Sequence, residues 1–405
     1  MSPRSVTFPR PEPLACVIGD IDLLRPLGLA GIRCGVVAAP GAIVRYSRFT
    51  DAVIESVDPW KEPGELLARL LRFGEAQEAR PVLYYQGDWD LLLVSRHREQ
   101  LGEAFRFVVP DAELVEDLVD KERFQALAER LNLPVPPSVR ISPDIELRPP
   151  IIVKPVTRQW ETWEPFAGRT KAVHVQTVEE LRDVAVRLAD AGVDAVAQEL
   201  VPGPETLIES YHVYVNRDGL VRGEFTGRKI RTYPPQYGSS TALLITDAAD
   251  VRRLGRDLTS RIGLRGVAKF DFKRGRDGKL RLLEVNPRFS LWHHPGARAG
   301  VNLPALVYDD LVGTSRARIA PVCSGVRWCY NLHDARAARA SGVPLRRWVP
   351  WALTCEAKSA WAWDDPMPVV RGSIWRVSRR LRSALNRRES EAPKTAESGA
   401  VRRSR

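Results

Sequence analysis

The chain has 405 residues, 44% of them hydrophobic and 27% charged, which is too much for one small core and calls for two or three subdomains. No run of about 18 apolar residues suits a transmembrane helix, and residues 1–13, with four prolines and no apolar stretch, do not read as a signal peptide. Of the net charge of +11, +8 falls in residues 371–405, where 11 Lys/Arg meet 3 Asp/Glu, so the body is nearly balanced and nucleic-acid binding is not expected.

The N-terminal part alternates strand and helix signals. Residues 14–18 are an apolar run ending at Gly19-Asp20, 32–38 form a second strand, 63–72 a helix opened by proline, and 81–85 another strand. This succession predicts a parallel α/β sheet, and residues 1–110 are expected to form a Rossmann-like domain. Gly19 lies outside any Gly-x-Gly-x-x-Gly fingerprint, so no dinucleotide site is inferred. Cys16, Cys34, Cys323, Cys329 and Cys355 contain no Cys-x-x-Cys pair and are odd in number. Free thiols in a reducing cytoplasm are the expectation.

Residues 111–315 carry most of the polar signals. A helix over 120–132 has Lys121 in its first turn and Phe124, Leu127 and Leu131 on one face, and a proline-rich stretch stops it. Residues 150–154 are a strongly apolar strand ending in Lys154, an ammonium that needs an anionic partner if it is buried. Residues 156–171 hold one glycine, two tryptophans and Lys171. Thr177 and Glu180 form a capping box for a helix closed by Gly192. A strand through Gln198, Glu199 and Leu200 then turns at Pro202-Gly203, with Glu205 just beyond. After a hairpin at 216–219 come Lys229 and Arg231, a cationic pair suited to a carboxylate or phosphate. The Gly-Ser-Ser run at 238–240 serves either the same purpose or an ordinary turn.

Residues 266–288 form the most informative stretch. Two strand-like runs flank Asp277-Gly278, a strong hairpin signal. With those two residues as the turn, Asp271 sits opposite Glu284 and Asn286 shares their face, while Phe270, Phe272, Leu283 and Val285 take the other. Two carboxylates and an amide oxygen suit Mg²⁺, or Mn²⁺ in its place, and Arg288 adds a cation; a merely solvated acidic face is the plain alternative.

Asp271 with the run Leu-Leu-Glu284-Val-Asn286-Pro-Arg288 resembles the magnesium-binding signature of the ATP-grasp superfamily, and residues 16–370 are similar to bacterial ATP-grasp carboxylate–amine ligases. The resemblance implies an α/β fold with α+β lobes, an ATP-grasp domain over 111–315 hinged near 198–203, behind the Rossmann-like domain. It implies that Lys121, Lys154 and Lys171 reach the phosphates of ATP. Gln198, Glu199 and Leu200 would line the adenine and Glu205 the ribose. Asp271, Glu284 and Asn286 would hold Mg²⁺, and Arg288, Lys229 and Arg231 would act at the reacting groups. The glycine-rich flap of the family is missing from 156–171. The implied reaction activates a carboxylate as an acylphosphate and joins it to an amine, releasing ADP and phosphate. A thiol or hydroxyl acceptor, or a non-catalytic nucleotide-binding scaffold, is the alternative. His293 or His294 could serve as base for the amine, with a structural role as the other reading.

Residues 316–370, with Trp328, Trp348, Trp351, Trp361 and Trp363, are expected to be a packing cap. A helix over 373–388 carries Ile374, Val377, Leu381 and Leu385 on one stripe among arginines, which suits either the inner face of a membrane, a partner, or plain solvation. Disorder is expected from Glu389 onward. Small-molecule carboxylate and amine substrates are the expected partners, and the sequence leaves a homo-oligomer open.

Overall fold

The computed structural model describes residues 12–391 apart from 60, 142–144, 146, 157–159, 169 and 318–319. Its first layer is built from short apolar runs without polar alternation, the pattern of strands covered on both faces. Strands β1 (Ala15–Ile18), β2 (Cys34–Ala38), β3 (Thr50–Glu55) and β4 (Val82–Tyr85) pair in parallel in the order β3-β2-β1-β4. Helix α1 (Ile21–Leu29) follows β1, α2 (Pro63–Glu75) precedes β4, and α3 (Asp88–Arg96) and α4 (Arg98–Ala104) follow it. The edge strand β3 was not anticipated, because only Ile54 in it is buried. Since β1 has neighbours on both sides, the crevice of this sheet lies where β1 and β4 end. Asp20, Gln86 and Asp88 stand there, with Asp20 N–H donating to Gln86 Oε1 at 2.8 Å.

Helices α5 (Ala112–Val119) and α6 (Lys121–Arg130) lead into a small antiparallel sheet. It contains β5 (Ser138–Arg140), β6 (Ile151–Pro155), β7 (Val173–Val175) and β8 (Ala195–Glu199), in the order β5-β8-β6-β7. Helix α7 (Trp160–Ala167) occupies the place of the expected flap, and α8 (Val178–Asp190) packs behind the sheet. Trp163 is buried and its indole N–H donates to Thr170 O at 2.8 Å.

The central sheet has seven strands, ordered β13-β12-β9-β10-β11-β14-β15. They are β9 (Ile208–Val215), β10 (Val221–Tyr233), β11 (Ser239–Thr246), β12 (Gly266–Arg274), β13 (Leu280–Asn286), β14 (Arg327–Cys329) and β15 (Ala357–Lys358). Helices α9 (Ala249–Arg261), α10 (His293–Arg298) and α11 (Leu303–Val312) lie between strands in sequence, and α12 (Asn331–Ala340), α13 (Leu345–Thr354) and α14 (Met367–Glu391) complete the chain. One face of the sheet closes over α5, α6 and α9; the other shares a core with α1, α11 and the parallel sheet.

Three expectations need correction. Residues 316–370 are not a separate cap, because β14 and β15 extend the central sheet and Trp328 is fully buried in the common core. The tryptophans do not all pack, since Trp363 is 74% exposed. The terminal helix is longer than 373–388 and runs helical through Glu391, where disorder was expected. Its Ile374 and Val377 are more than half exposed, Trp375 lies against Gly41, and the side chains of Leu381 and Leu385 fall outside the described residues. Among the described residues no helix is long and apolar enough to cross a membrane.

Candidate active site

In the β12–β13 hairpin Asp271 faces Glu284, and Lys269 faces Asn286. The turn that delivers this register is not the expected one. Arg274 pairs with Leu280, and Gly275 N–H donates to Lys279 O at 2.9 Å, so the loop spans residues 275–279. That longer loop puts the tip one residue out of step, and a bulge at Leu283 brings the ladder back into register at Asp271. The bulge also exchanges two leucines. Leu282 takes the core position beside Phe270, Phe272 and Val285, and Leu283 turns to the polar side.

That polar side lines two adjoining hollows. A narrow arm of about 120 Å³ lies between the small sheet and the hairpin, with Lys154, Glu199, Glu205, Lys229, Asp271 and Glu284 in its wall. A wider chamber of about 520 Å³ extends toward α3, where Asp88, Trp89 and Leu92 face Asn286 and Arg288. Lys121, Lys154, Gln198, Leu283 and Glu284 border both.

Side chains along the floor form two polar groups. Asp271 is 3% exposed; one of its oxygens accepts from the Ser210 hydroxyl and the other lies 2.5 Å from Lys269 Nζ. Asn286 donates to Glu284 Oε1 at 3.1 Å and accepts from Arg288 at 3.1 Å, and the same guanidinium pairs with Asp88. The Lys269 ammonium therefore supplies the positive charge that the Asp271 carboxylate draws to itself. Among the described residues no three His, Cys, Asp or Glu side chains form a metal cluster. The donor set of two carboxylates and one amide oxygen fits Mg²⁺, an ion that completes its shell with phosphate oxygens and water.

The expected nucleotide residues occupy the other wall. Lys154 donates to Gln198 Oε1 at 2.8 Å, and Gln198 in turn donates to Ser138 at 2.9 Å. Lys121, in the first turn of α6 capped by Asp120, reaches Val156 O at 3.0 Å. Lys171 lines the narrow arm, and its backbone N–H donates to Tyr237 O at 2.8 Å. Lys229 and Glu205 approach to 3.9 Å. Leu200 lines the arm, but the Glu199 N–H is taken by Pro137 O at 2.9 Å and is not available to read an adenine.

Arg231 is elsewhere. The β10–β11 ladder pairs Lys229 with Leu243 and Arg231 with Ala242, a bulge that breaks the alternation placing both cations on one face. Arg231 instead forms a two-pronged pair with fully buried Asp334 at 2.8 and 2.6 Å and lies 4.2 Å over the Trp351 ring. The histidines are also structural. His294 Nδ1 lies 2.8 Å from Asp22, and His293 Nδ1 accepts from Ser290 N–H at 3.0 Å. Burial holds both below the ordinary histidine range, His293 down to about 3, and neither lines the hollows.

Four residues of the site were missed. Lys269 and Lys273 lie two positions either side of Asp271 and so share its face, a signal present in the sequence. Burial pushes the Lys273 ammonium below its usual value, and Lys229 adds to the effect. Ser210 comes from β9 and Asp88 from the start of α3, whose adjacency to the hairpin no local pattern reveals.

Residues 227–331 match the family model described as ATP-grasp in the biosynthetic pathway with Ter operon. The chain is 26% identical over 337 residues to a D-aspartate ligase of Enterococcus faecium, covering 78% of both. An L-amino acid ligase from Bacillus licheniformis superposes with a TM-score of 0.58 at 15% identity, over 78% of each chain. The biotin carboxylase domain of a Hydrogenobacter thermophilus 2-oxoglutarate carboxylase, in complex with MgADP, superposes with a TM-score of 0.58 at 16% identity, over 77% of this chain and 72% of that one. In fold the chain is similar to these enzymes, and the lobe that carries Asp271 and Glu284 matches an ATP-grasp family model.

Proposed function

We propose that this protein is an ATP-dependent ligase that activates a small-molecule carboxylate as an acylphosphate and joins it to an amine. The observation that carries the reading is the pair of adjoining hollows meeting at Glu284, Lys154 and Lys121. A nucleotide in the narrow arm would direct its last phosphate to that junction, with an acceptor in the chamber. Asp271, Glu284 and Asn286 would hold Mg²⁺ there, and the ion supplies neutralisation of phosphate charge. The narrow arm is smaller than the ~300–1,000 Å³ of ordinary ligand sites. Entry of the nucleotide therefore requires the small sheet to swing away from the hairpin about residues 199–205, exchanging the Lys154–Gln198 and Lys121–Val156 contacts for phosphate oxygens.

A carboxylate oxygen attacks the γ-phosphorus and ADP leaves. The amine nitrogen then attacks the acyl carbon, the C–N bond forms, phosphate departs and the nitrogen gives up a proton. Arg288, held in place by Asp88 and Asn286, faces the chamber and orients the carboxylate, while Lys269, Lys154 and Lys229 offset the charge that develops. Trp89, Leu92, Leu118 and Phe124 give the chamber an apolar wall, which fits an acceptor with an apolar portion beside its reacting group. Because the buried histidines are neutral and distant, proton removal falls to the released phosphate or water. Free thiols at all five cysteines accord with a reducing cytoplasm as the setting.

The test is ADP formation with panels of carboxylates, using hydroxylamine to trap the activated acid as a hydroxamate. Carboxylate-dependent ADP release with trapped hydroxamate is the expected result. Protein that binds Mg·ATP yet releases no ADP with any carboxylate would favour a nucleotide-binding scaffold, and an ester or thioester product would replace the amine as acceptor.

A further inference from the structure

A third hollow, about 1130 Å³, lies at the opposite end of the parallel sheet. The candidate cleft uses the C-terminal end of β4, whereas this hollow has Arg80 just before β4, the 105–111 connection, the 216–218 turn and the end of α11 in its wall. Gly266, the first residue of β12, stands over its edge against Val108 and Pro110. Five residues of strand, about 17 Å, separate Gly266 from Asp271.

Arg80, Arg98, Arg106, Arg217 and Arg265 line this hollow. The hydrogen bonds they make go to neutral oxygens. Arg80 donates to Gly102 O at 2.9 Å, Arg106 to Leu311 O at 2.8 Å and Arg217 to Phe107 O at 3.4 Å. Arg98 reaches Ser95 O, the Ser95 hydroxyl and Pro110 O, and Arg265 reaches Leu264 O and Arg217 O. Arg265 lies over the 216–219 turn, where a side chain at Gly219 would come within 2.7 Å of its guanidinium. The Arg106 Nε is buried and finds no partner among the described residues.

Glu99, Asp111, Asp218 and Asp310 also border the hollow, but among the described residues none is within ion-pair distance of these five arginines. Asp310 is engaged by Arg222 at 3.2 Å, Asp111 caps α5, and Asp218 accepts from Asn216. Five guanidinium groups thus gather around one concavity, none of them directly paired with a carboxylate among the described residues, and the four acidic side chains at its border offset their mutual repulsion only at longer range. Each fork can grip two oxygens of one phosphate, which a point charge such as lysine does not do.

We propose that this hollow is a binding site for an oligophosphate group, separate from the candidate ATP cleft. Its arginines come from both bodies it touches: Arg80, Arg98 and Arg106 from the Rossmann-like layer, Arg217 and Arg265 from the central sheet. A bound oligophosphate ties the two together at the end remote from the chemistry. A group with several phosphates offers oxygens to both sides at once.

Calorimetric titration with inorganic pyrophosphate, without Mg²⁺, tests the assignment. Lys154→Ala protein, with its cleft lysine removed, should bind pyrophosphate as tightly as wild type. Arg217→Gln/Arg265→Gln should bind it at least tenfold more weakly while keeping the Mg·ATP-induced rise in melting temperature. If that double variant does not fold, Arg80→Gln at the rim repeats the test with the sheet side intact, with a loss of threefold or more expected. ADP that competes with pyrophosphate in the Lys154→Ala protein extends the site to nucleotides, and ADP that does not compete confines it to inorganic oligophosphate. Pyrophosphate binding that disappears in Lys154→Ala, or that the arginine variants leave unchanged, overturns the proposal.

Discussion

Two bulged ladders of the central sheet, β12–β13 and β10–β11, make opposite use of the same device. In the β12–β13 hairpin the extra residue, Leu283, cancels the offset of a long loop, so Asp271 and Glu284 meet as simple alternation requires. In the β10–β11 ladder the irregularity around Ile230 turns Arg231 away from Lys229 and gives it to Asp334. One bulge preserves a site; the other moves a charge out of it and into the packing of α12 and α13. Alternation is a local rule, and each inserted residue resets it for everything beyond.

Arg231→Ala leaves Asp334, fully buried, with the Thr241 hydroxyl and the Trp348 indole but no counter-charge. Stability in denaturant should fall by about 3–5 kcal/mol, while turnover of whatever remains folded stays within about threefold of wild type. A large loss of turnover without loss of stability would return Arg231 to the reacting groups. Glu284→Gln should do the reverse. It should cost about 10²–10³-fold or more in ADP-forming turnover, on the order of 3–4 kcal/mol, with little change in unfolding.

His293 sharpens the contrast between structural and reactive groups. Burial holds it at about 3, against about 6.5 in an unfolded chain. As pH falls through 6.5 the unfolded chain takes up a proton that the folded one refuses. The associated stability is complete above pH 6.5 and is lost progressively toward pH 3. Between pH 7 and 5 the loss is on the order of 2 kcal/mol. His293→Asn, whose amide oxygen can still accept from Ser290 N–H, should lessen the wild-type decline by that amount. Equal declines in the two proteins would contradict a neutral, buried imidazole.

Much of this architecture was legible in the residues themselves. Uninterrupted apolar runs identified β1, β2 and β4, Thr177 with Glu180 announced the start of α8, and the Asp271, Glu284, Asn286 and Arg288 spacing located the candidate centre. What escaped depends on partners distant in sequence. Ser210 reaches Asp271 only because β9 lies between β12 and β10, and Asp88 meets Arg288 only because the parallel sheet docks against the hairpin. Trp328 could not be assigned to the common core before β14 was known to join β11. Lys269 is different: its position two residues before Asp271 was enough to place it on the site face.

Thermal melting with and without Mg·ATP, on wild type, Glu284→Gln and Arg231→Ala together, bears most directly on the candidate nucleotide site. Ligand at 100 times its dissociation constant adds about 2.7 kcal/mol, a rise of several degrees at roughly 2–4 °C per kcal/mol for a chain of this size. Wild type should show the full magnesium-dependent rise. Glu284→Gln should melt like wild type without ligand and lose most of the rise, whereas Arg231→Ala should start lower and keep it. No rise in wild type at millimolar Mg·ATP, or a rise untouched by Glu284→Gln, would contradict a nucleotide–metal site at this hairpin.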